Sequence, residues 1–517
     1  MKNISINPRR IVINTFILST RMLFVLAMSL FTTRIVLLSL GVDDYGTYII
    51  VGGIVSLFAF ITIPLVATTQ RFLNYEMGQN NPKRVNDVFS ASFIISIVIM
   101  FVSLILFETI GYYFVLNYLV VPTGKLAVAV FIFHFSVATF CIYILLSPFQ
   151  AIIAAYEDMK TIAVIEVGQG LAKLGIAYFI LYSSYYKVEH YAVLMFCLSL
   201  LMFLTYVVMY KIKYKNVRLG KVEKRSYYKE LSSFMGWNLF DSVSGIFQVF
   251  GSNILLNIFY GTTINAAYGI SRQMNSAISS FSINYMRAAN PQITHSFSAN
   301  EHDYSIKLVF TSSKFSYYIF WILALPILID TDWVLTNWLE TVPDYASIFI
   351  KLMVIDTLLN SISFPLTTYI FATGKIKIFQ IVTGSLTLFS IPISFVLLQV
   401  GCKPYYVLIV AIVISILCLV ARLEILNKFN HFSRNSFYYN IILRILVITI
   451  LSLIIPTLIV YTLEVGWVRF ILVCFVSMIS GIGLTYMIGI NKMERMFVRN
   501  KISLLINNLA KYRDRSV

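Results

Sequence analysis

An arginine and an aspartate stand 220 residues apart, Arg21 and Asp241, each about ten residues into a long apolar run. A charge deep in a bilayer costs at least about 2.5–3.5 kcal/mol, so each needs a partner, water or a task. Arg21 supplies a permanent cation for an anionic substrate. Asp241 supplies a carboxylate that can exchange a proton or hold a cation during ion coupling. The alternative use is a buried ion pair that holds two related halves together. The two uses coexist if the pair opens during a transport cycle.

Asp241 belongs to a stripe. Asn238, Asp241, Gly245, Gln248 and Ser252 recur at spacings of three and four, which is one face of a helix. On a membrane helix such a face meets water or protein rather than lipid; a polar helix–helix seam is the other reading. Glu166, Gln169, Gly170 and Lys173 form a second stripe. Glu166 and Lys173 are two turns apart, roughly 10 Å along the axis, so a direct pair is not expected. Arg272 lies about seven residues into its run, and the position 220 residues earlier is Gly52. This cation breaks the symmetry, as a substrate charged at one end requires. Arg34 sits near the outer end of the first run, where it either faces the path or snorkels. Glu108 and Lys351 read as snorkelling residues, and His134 also falls within a run. Asp356 lies deeper, with no partner legible in the sequence. Arg71 reads as a headgroup anchor.

The elements that position these residues must be membrane helices. Hydrophobic residues make up 59% of the 517 and charged ones 12%, against about 25% charged in soluble domains. Apolar runs of around 20 residues, each able to cross a core of about 30 Å, fill the chain. Fourteen are counted, roughly at 11–38, 46–68, 89–113, 126–148, 161–183, 190–212, 233–259, 265–288, 309–329, 347–371, 377–400, 405–426, 440–462 and 467–490. Helix is required because each span must satisfy its own backbone in lipid. The first run shows no cleavage site and does not read as a signal peptide. The five cysteines lack metal or redox spacing and read as packing residues.

The net charge of +17 does not point to nucleic acid. With the N-terminus placed in the cytoplasm, most Lys and Arg fall in inner loops, above all the stretch from Lys211 to Lys229 and the tail beyond Asn491. Only Lys125, Lys187, Lys403 and Arg469 fall outside. This is a positive-inside pattern with both termini cytoplasmic, and the basic loops meet anionic lipid headgroups.

The chain also repeats itself. PFQAIIAAYEDMK (Pro148 to Lys160) matches PLTTYIFATGKIK (Pro365 to Lys377) at an offset of 217, and the segment from Gly41 to Tyr48 matches that from Gly261 to Tyr268 at 220. The expected organisation is an N-lobe over 1–212, a basic linker over 213–232 and a C-lobe over 233–428. Two further spans occupy 429–490 and a basic tail 491–517, the tail reading as an interfacial helix. Six spans per copy give both lobes the same orientation, related by an axis along the membrane normal. The fold class is therefore all-α and polytopic, with about 14 transmembrane helices: two parallel-related six-helix lobes around a central cavity, plus two C-terminal helices. No Walker phosphate loop and no metal-spaced cluster is present, so neither direct ATP use nor an enzymatic role is expected.

Arg21, LGVDDYGTY (Leu40 to Tyr48), TTQRFLNYEMG (Thr68 to Gly78), SPFQAIIAAYEDMK (Ser147 to Lys160) and ANPQITHSFSANE (Ala289 to Glu301) occur in order. With that spacing the whole chain resembles the polysaccharide flippases of the multidrug/oligosaccharidyl-lipid/polysaccharide exporter superfamily. It looks most like the bacterial O-antigen or capsule repeat-unit members. The resemblance implies a cationic, V-shaped cavity lined by spans 1, 2, 7 and 8. It implies alternating-access transfer of undecaprenyl-pyrophosphate-linked oligosaccharide across a bacterial inner membrane, in concert with other polysaccharide-assembly proteins and without a cofactor. Arg21, Arg272, Arg34 and Lys173 are then the candidate pyrophosphate and cavity residues, since guanidinium forks fit phosphate oxygens. Asp241, Glu166, Asn238 and Gln248 are the candidate polar or H+/Na+-coupling residues. A multidrug or cation antiporter of the same superfamily would favour acids and aromatics in its cavity. A lipid II flippase differs only in the cargo headgroup. A membrane-embedded polymerase or glycosyltransferase would need a long loop or catalytic domain that this chain lacks.

Overall fold

The computed structural model describes residues 8–117, 125–183, 185–339, 342–428, 432–491 and 494–496. The expected tail helix lies almost wholly outside these residues. Among them the chain is helical, without strands. The helices are α1 (Pro8–Ser56), α2 (Thr62–Gly78), α3 (Pro82–Leu106), α4 (Tyr112–Asn117), α5 (Leu126–Ala155), α6 (Met159–Tyr182), α7 (Lys187–Lys213) and α8 (Ser226–Ser298). They continue as α9 (His302–Ile329), α10 (Thr331–Trp338), α11 (Ala346–Thr373), α12 (Lys377–Gln399), α13 (Tyr406–Asn427), α14 (Arg434–Phe437), α15 (Leu443–Thr462) and α16 (Trp467–Leu484).

Among the described residues, twelve helical segments are long and apolar enough to cross a membrane, and the chain is a multi-pass membrane protein. Of the two remaining expected spans, which follow two kinks, 46–68 is apolar but divided by a 3-10 turn at Leu57–Ile61, and 265–288 is rich in Ser and Asn. Those kinks break α1 at Gly41 (φ 78°, ψ 170°) and α8 at Gly261 (φ 78°, ψ −169°). An L side chain is strained in this left-handed region, so glycine permits both bends.

The internal repeat is written in the backbone. Gly41 and Gly261 are one pair of left-handed residues. Asn80 (φ 53°) and Asn300 (φ 63°) are a second pair at the same 220-residue offset, Glu157 (φ 58°) and Gly374 (φ 76°) a third at 217, and Tyr186 (φ 52°) and Gly401 (φ 89°) a fourth. Among the described residues only Tyr345 falls outside this pairing. Few residues adopt positive φ without a reason. Their recurrence in register means that both copies turn at the same places.

The chain packs as two compact units. One comprises 1–252, 283–309 and 367–392; the other comprises 253–282, 310–366 and 393–517. In the first, α1 lies along α6, and α5 along α7. The α1–α6 register is fixed by three contacts. Asn14 Nδ2 donates to the Glu157 carbonyl at 3.3 Å. Arg21 pairs with Glu166. Met28 packs so closely on Gly170 that a Cβ there would lie 2.8 Å from the Met28 methyl. Positions rise together on the two helices, so α1 and α6 run parallel.

Helix starts at the basic end are set by short polar side chains. Asn81 accepts from Arg84 N at 3.3 Å with Pro82 behind it, and Asp158 accepts from Thr161 N at 3.1 Å. Asp158 also receives Lys213 Nζ at 2.8 Å and Tyr214 OH at 3.1 Å, which ties the end of α7 to the start of α6. The basic linker is held against α3, where Asn86, Asp87 and Ser90 accept backbone N–H groups of Arg218, Glu223 and Gly220.

Arg71, expected as a headgroup anchor, is buried instead. Its Nε and Nη2 donate to the Phe371 and Ala372 carbonyls at 2.8 and 2.9 Å. These belong to the last turn of α11, where unpaired carbonyls carry the negative end of the helix dipole. Phe72, Tyr75 and Phe234 surround the guanidinium at 4.5–5.2 Å.

In the second unit two buried ion pairs staple the C-terminal helices. Arg469 on α16 grips Asp330, with Nε 3.1 Å from Oδ2. Lys314 on α9 donates to Glu494 at 2.9 Å and to the Gly489 carbonyl at 3.2 Å. None of the five cysteines forms a disulfide.

Candidate functional site

A chamber of about 460 Å³ opens within the first unit. Each surrounding helix contributes one stripe to it. From α2 come Thr62, Val66, Ala67 and Gln70; from α5, Gln150 and Ala154; from α6, Met159, Ile162 and Glu166. With Ile63, the α2 residues Val66, Ala67 and Gln70 stand at i, i+3, i+4 and i+7, the α5 pair at i and i+4, and the α6 residues at i, i+3 and i+7, so one face of each of these helices points inward. Leu18, Ile63, Tyr206, Arg287 and Asn290 complete the wall.

The charged residues of its lining are one carboxylate, Glu166, and one guanidinium, Arg287; a second guanidinium, Arg21, stands behind the wall. Glu166 lines the chamber and pairs with Arg21, whose side chain is 10% exposed. Arg21 lies 13 residues past Pro8, about 20 Å along α1 at 1.5 Å per residue. Its Nε has no partner among the described residues, so only part of its donor fork is used. Arg287 keeps accessible surface although protein crowds it on most sides, as a cavity-facing side chain does. Arg21 also feels the positive charge of Arg287 and the phenol of Tyr206. One turn before Arg287, Asn284 Nδ2 reaches Met22 Sδ at 3.4 Å, which brings this part of α8 onto α1 beside Arg21.

The repeat reappears in the wall. Gln70 and Asn290 are 220 residues apart and both line the chamber. Ala67 and Arg287 have the same relation. The surroundings are two-fold in backbone and one-sided in charge, and the odd cation is Arg287. Sequence reading placed Arg287 among inner-loop charges because the apolar run ends at about 288. The helix instead continues through Pro291 to Ser298, which keeps Arg287 11 residues inside it. The ANPQITHSF segment carries Pro291, which usually ends or bends a helix, so no local signal marked that α8 runs on to Ser298.

The other candidate residues fall elsewhere. Asp241 accepts from Thr383 Oγ1 at 3.4 Å. Asn238 is buried; it donates to Thr68 Oγ1 at 3.3 Å and accepts from Gln380 Nε2 at 2.8 Å. This part of the stripe is a polar seam joining α8 to α2 and α12. Gln248 and Lys173 are half-buried. Arg34 is exposed, and Arg272 is exposed with a hydrogen bond to Tyr268. Asp356 finds its partners in Ser415 and Asn360, the latter at 3.2 Å. His134 pairs with Glu108 at 2.8 Å.

A second chamber of about 430 Å³ adjoins the first, and Thr62 and Gln150 belong to both walls. Its lining includes Tyr48, Gly52, Phe135, Ser136, Thr139, Phe140 and Tyr143. Among its described lining residues none is Asp, Glu, Lys, Arg or His.

No protein-family model and no curated protein matches the sequence. Solved structures do. A MATE transporter in the straight conformation superposes with a TM-score of 0.71 at 11% identity, covering 85% of this chain and 99% of that one. The MATE transporter ClbM in complex with Rb+ gives 0.70 at 13% identity, covering 85% and 99%. A mutant of the Vibrio cholerae MATE transporter VcmN gives 0.68 at 13%, covering 82% and 98%. The chain shares the fold of the MATE transporters.

Proposed function

We propose that the protein is a flippase that carries an anionic, lipid-linked oligosaccharide across a bacterial inner membrane by alternating access. The observation that carries this reading is the charge at the chamber: Arg287 in its wall has no carboxylate partner among the described residues' ion pairs, while the Glu166 carboxylate is already neutralised by Arg21 behind it. That leaves an excess of positive charge at the chamber, which attracts an anion, and guanidinium forks recognise phosphate oxygens bidentately. A pyrophosphate linkage fits this chemistry. Arg287 meets it first, because Arg21 is occupied by Glu166. Binding then draws Arg21 away from Glu166, and the released carboxylate takes up a proton. Glu166 is thus the leading coupling acid, with Asp241 second. Arg34, Arg272 and Lys173 remain candidate further cations, and Asn238 and Gln248 candidate polar supports. The lobes over 1–212 and 233–428 rock about the linker at 213–232, with both termini cytoplasmic.

A second reading is an antiporter of organic cations. One structural neighbour is itself described as a multidrug resistance MATE family transporter of the MOP superfamily, and Glu166 and Asp241 supply acids. Deletion of the gene in its host separates the two. Complementation with wild type should restore surface polysaccharide, and Arg21→Ala, Arg287→Ala, Arg272→Ala and Asp241→Asn should restore it poorly at matched expression. Normal polysaccharide in the deletion strain, with no redundant transporter, sinks the flippase reading. Hypersensitivity of that strain to cationic dyes alone supports the antiporter.

A further inference from the structure

We infer that the second chamber is a carbohydrate subsite, which takes neutral sugar rings of the cargo while their anionic linkage lies beside Arg287. The inference rests on reading the charged chamber as an anion site. Its own argument is the lining chemistry. About 430 Å³ lies within the roughly 300–1,000 Å³ of small-molecule sites. Ser136, Thr139 and Gln150 both donate and accept, matching sugar hydroxyls that do the same. Tyr48 and Tyr143 offer apolar ring surfaces with a polar tip, which suits the C–H faces of a pyranose. Tyr48 is held edge-on against Tyr191 at 4.9 Å, and Tyr143 OH receives Gln169 Nε2 at 3.0 Å, so both rings are oriented before any ligand arrives.

The two chambers are strung along one helix. Ser136, Thr139 and Tyr143 on α5 face the neutral chamber, and Gln150, about 10 Å further along, faces both. A cargo with a charged linkage and neutral sugars has the same order of parts.

Gly52 gives this chamber its room. A glycine inside a helix is unfavourable for the helix itself. Here a Cβ would meet only Ser136 Oγ, at 3.9 Å, so the backbone does not demand glycine for close packing. The repeat places Arg272 at the equivalent position of the second copy. The first copy has neither charge nor bulk there, and the space is open.

The test uses full-length protein in lipid nanodiscs. The probe is the set of neutral oligosaccharides released by mild acid from the host's lipid-linked pool, followed by saturation-transfer NMR. Wild type should transfer saturation to sugar ring protons. Gly52→Leu, which fills the chamber, should reduce transfer at least five-fold, and Thr139→Val, nearly isosteric, should also reduce it. No transfer from wild type, equal transfer from both variants, or displacement of tetraphenylphosphonium rather than saccharide by filling the chamber would overturn the inference. Inorganic pyrophosphate binding to wild type, measured in parallel by calorimetry, reports the charged chamber alone. If pyrophosphate fails to bind while Gly52→Leu still removes saccharide contact, the anion reading fails and the saccharide subsite stands.

Discussion

Arg21 closes on Glu166 in the wall of the chamber that Arg287 also faces. The pair joins two parallel helices, and the register that makes it is set by Asn14 on the Glu157 carbonyl and by Met28 on Gly170. Breaking a paired charge inside a membrane protein leaves the survivor exposed to its full desolvation cost. On the proposed reading, an incoming anion competes with Glu166 for Arg21.

That competition has a pH signature. Protonating Glu166 frees Arg21, so pyrophosphate should bind wild type more tightly as pH falls. Glu166→Gln removes the competitor at every pH. Its affinity should exceed wild type by about tenfold near neutrality, equivalent to about 1.4 kcal/mol, and converge with wild type in acid. Calorimetry on both proteins over the same pH series cancels the titration of the ligand itself. Parallel curves for the two proteins would show that Glu166 does not compete for Arg21.

Gly374 and Arg71 should behave as one unit. Gly374 has φ 76°, and a Cβ there would lie 2.8 Å from Arg71 Nη2. Gly374→Ala therefore costs about 1–2 kcal/mol in backbone strain and also crowds the guanidinium. Arg71→Ala loses two hydrogen bonds from a charged donor, each contributing about 1.5–3 kcal/mol. Arg71→Lys keeps the charge but cannot span both carbonyls, so it should fall between wild type and Arg71→Ala in detergent thermal stability. A double variant that falls below Arg71→Ala by the backbone strain alone, and so short of the sum of the two single losses, would confirm the shared contact; full additivity would contradict it.

Asp158 should make stability pH-dependent at the basic end. Burial alone would raise its carboxyl, but hydrogen bonds from Lys213 and Thr161 outweigh it and hold the group below its ordinary value. A depressed folded-state value means that stability is present above the unfolded value, near about 3.9, and is lost as pH falls through the lower folded value. Asp158→Asn should thus melt earlier than wild type at pH 7, with the gap closing as pH falls below the ordinary carboxylate range. A gap that persists in acid would mean that Asp158 acts by packing rather than charge.

Much of the architecture was legible because hydrophobic length and repeated turns are written locally. Gly41 and Gly261 were visible as matched motifs, and both prove to be kinks of the same conformation. The polar stripes around Asp241 and Glu166 were visible as helical periodicity. Partners were not. The 220-residue ruler set Arg21 level with Asp241, but a repeat fixes equivalent backbone positions and not which side chains meet. Arg21 meets Glu166 because α1 and α6 pack side by side through Gly170. Arg287 was missed because hydropathy ends a span where apolar residues stop, whereas the α8 helix continues to Ser298. Arg71 was misread because nothing local shows that the end of α11, 300 residues away, needs a donor.

The most direct measurement is translocation in proteoliposomes. Purified protein is reconstituted with the host's lipid-linked oligosaccharide, labelled on the sugar, and the label accessible on each face is followed over time. Wild type should equilibrate the label between leaflets, and Arg287→Ala should slow this at least tenfold at equal incorporation. Failure of wild type to move the lipid-linked sugar, in vesicles that do accumulate an organic cation in a Glu166- or Asp241-dependent way, would contradict the account.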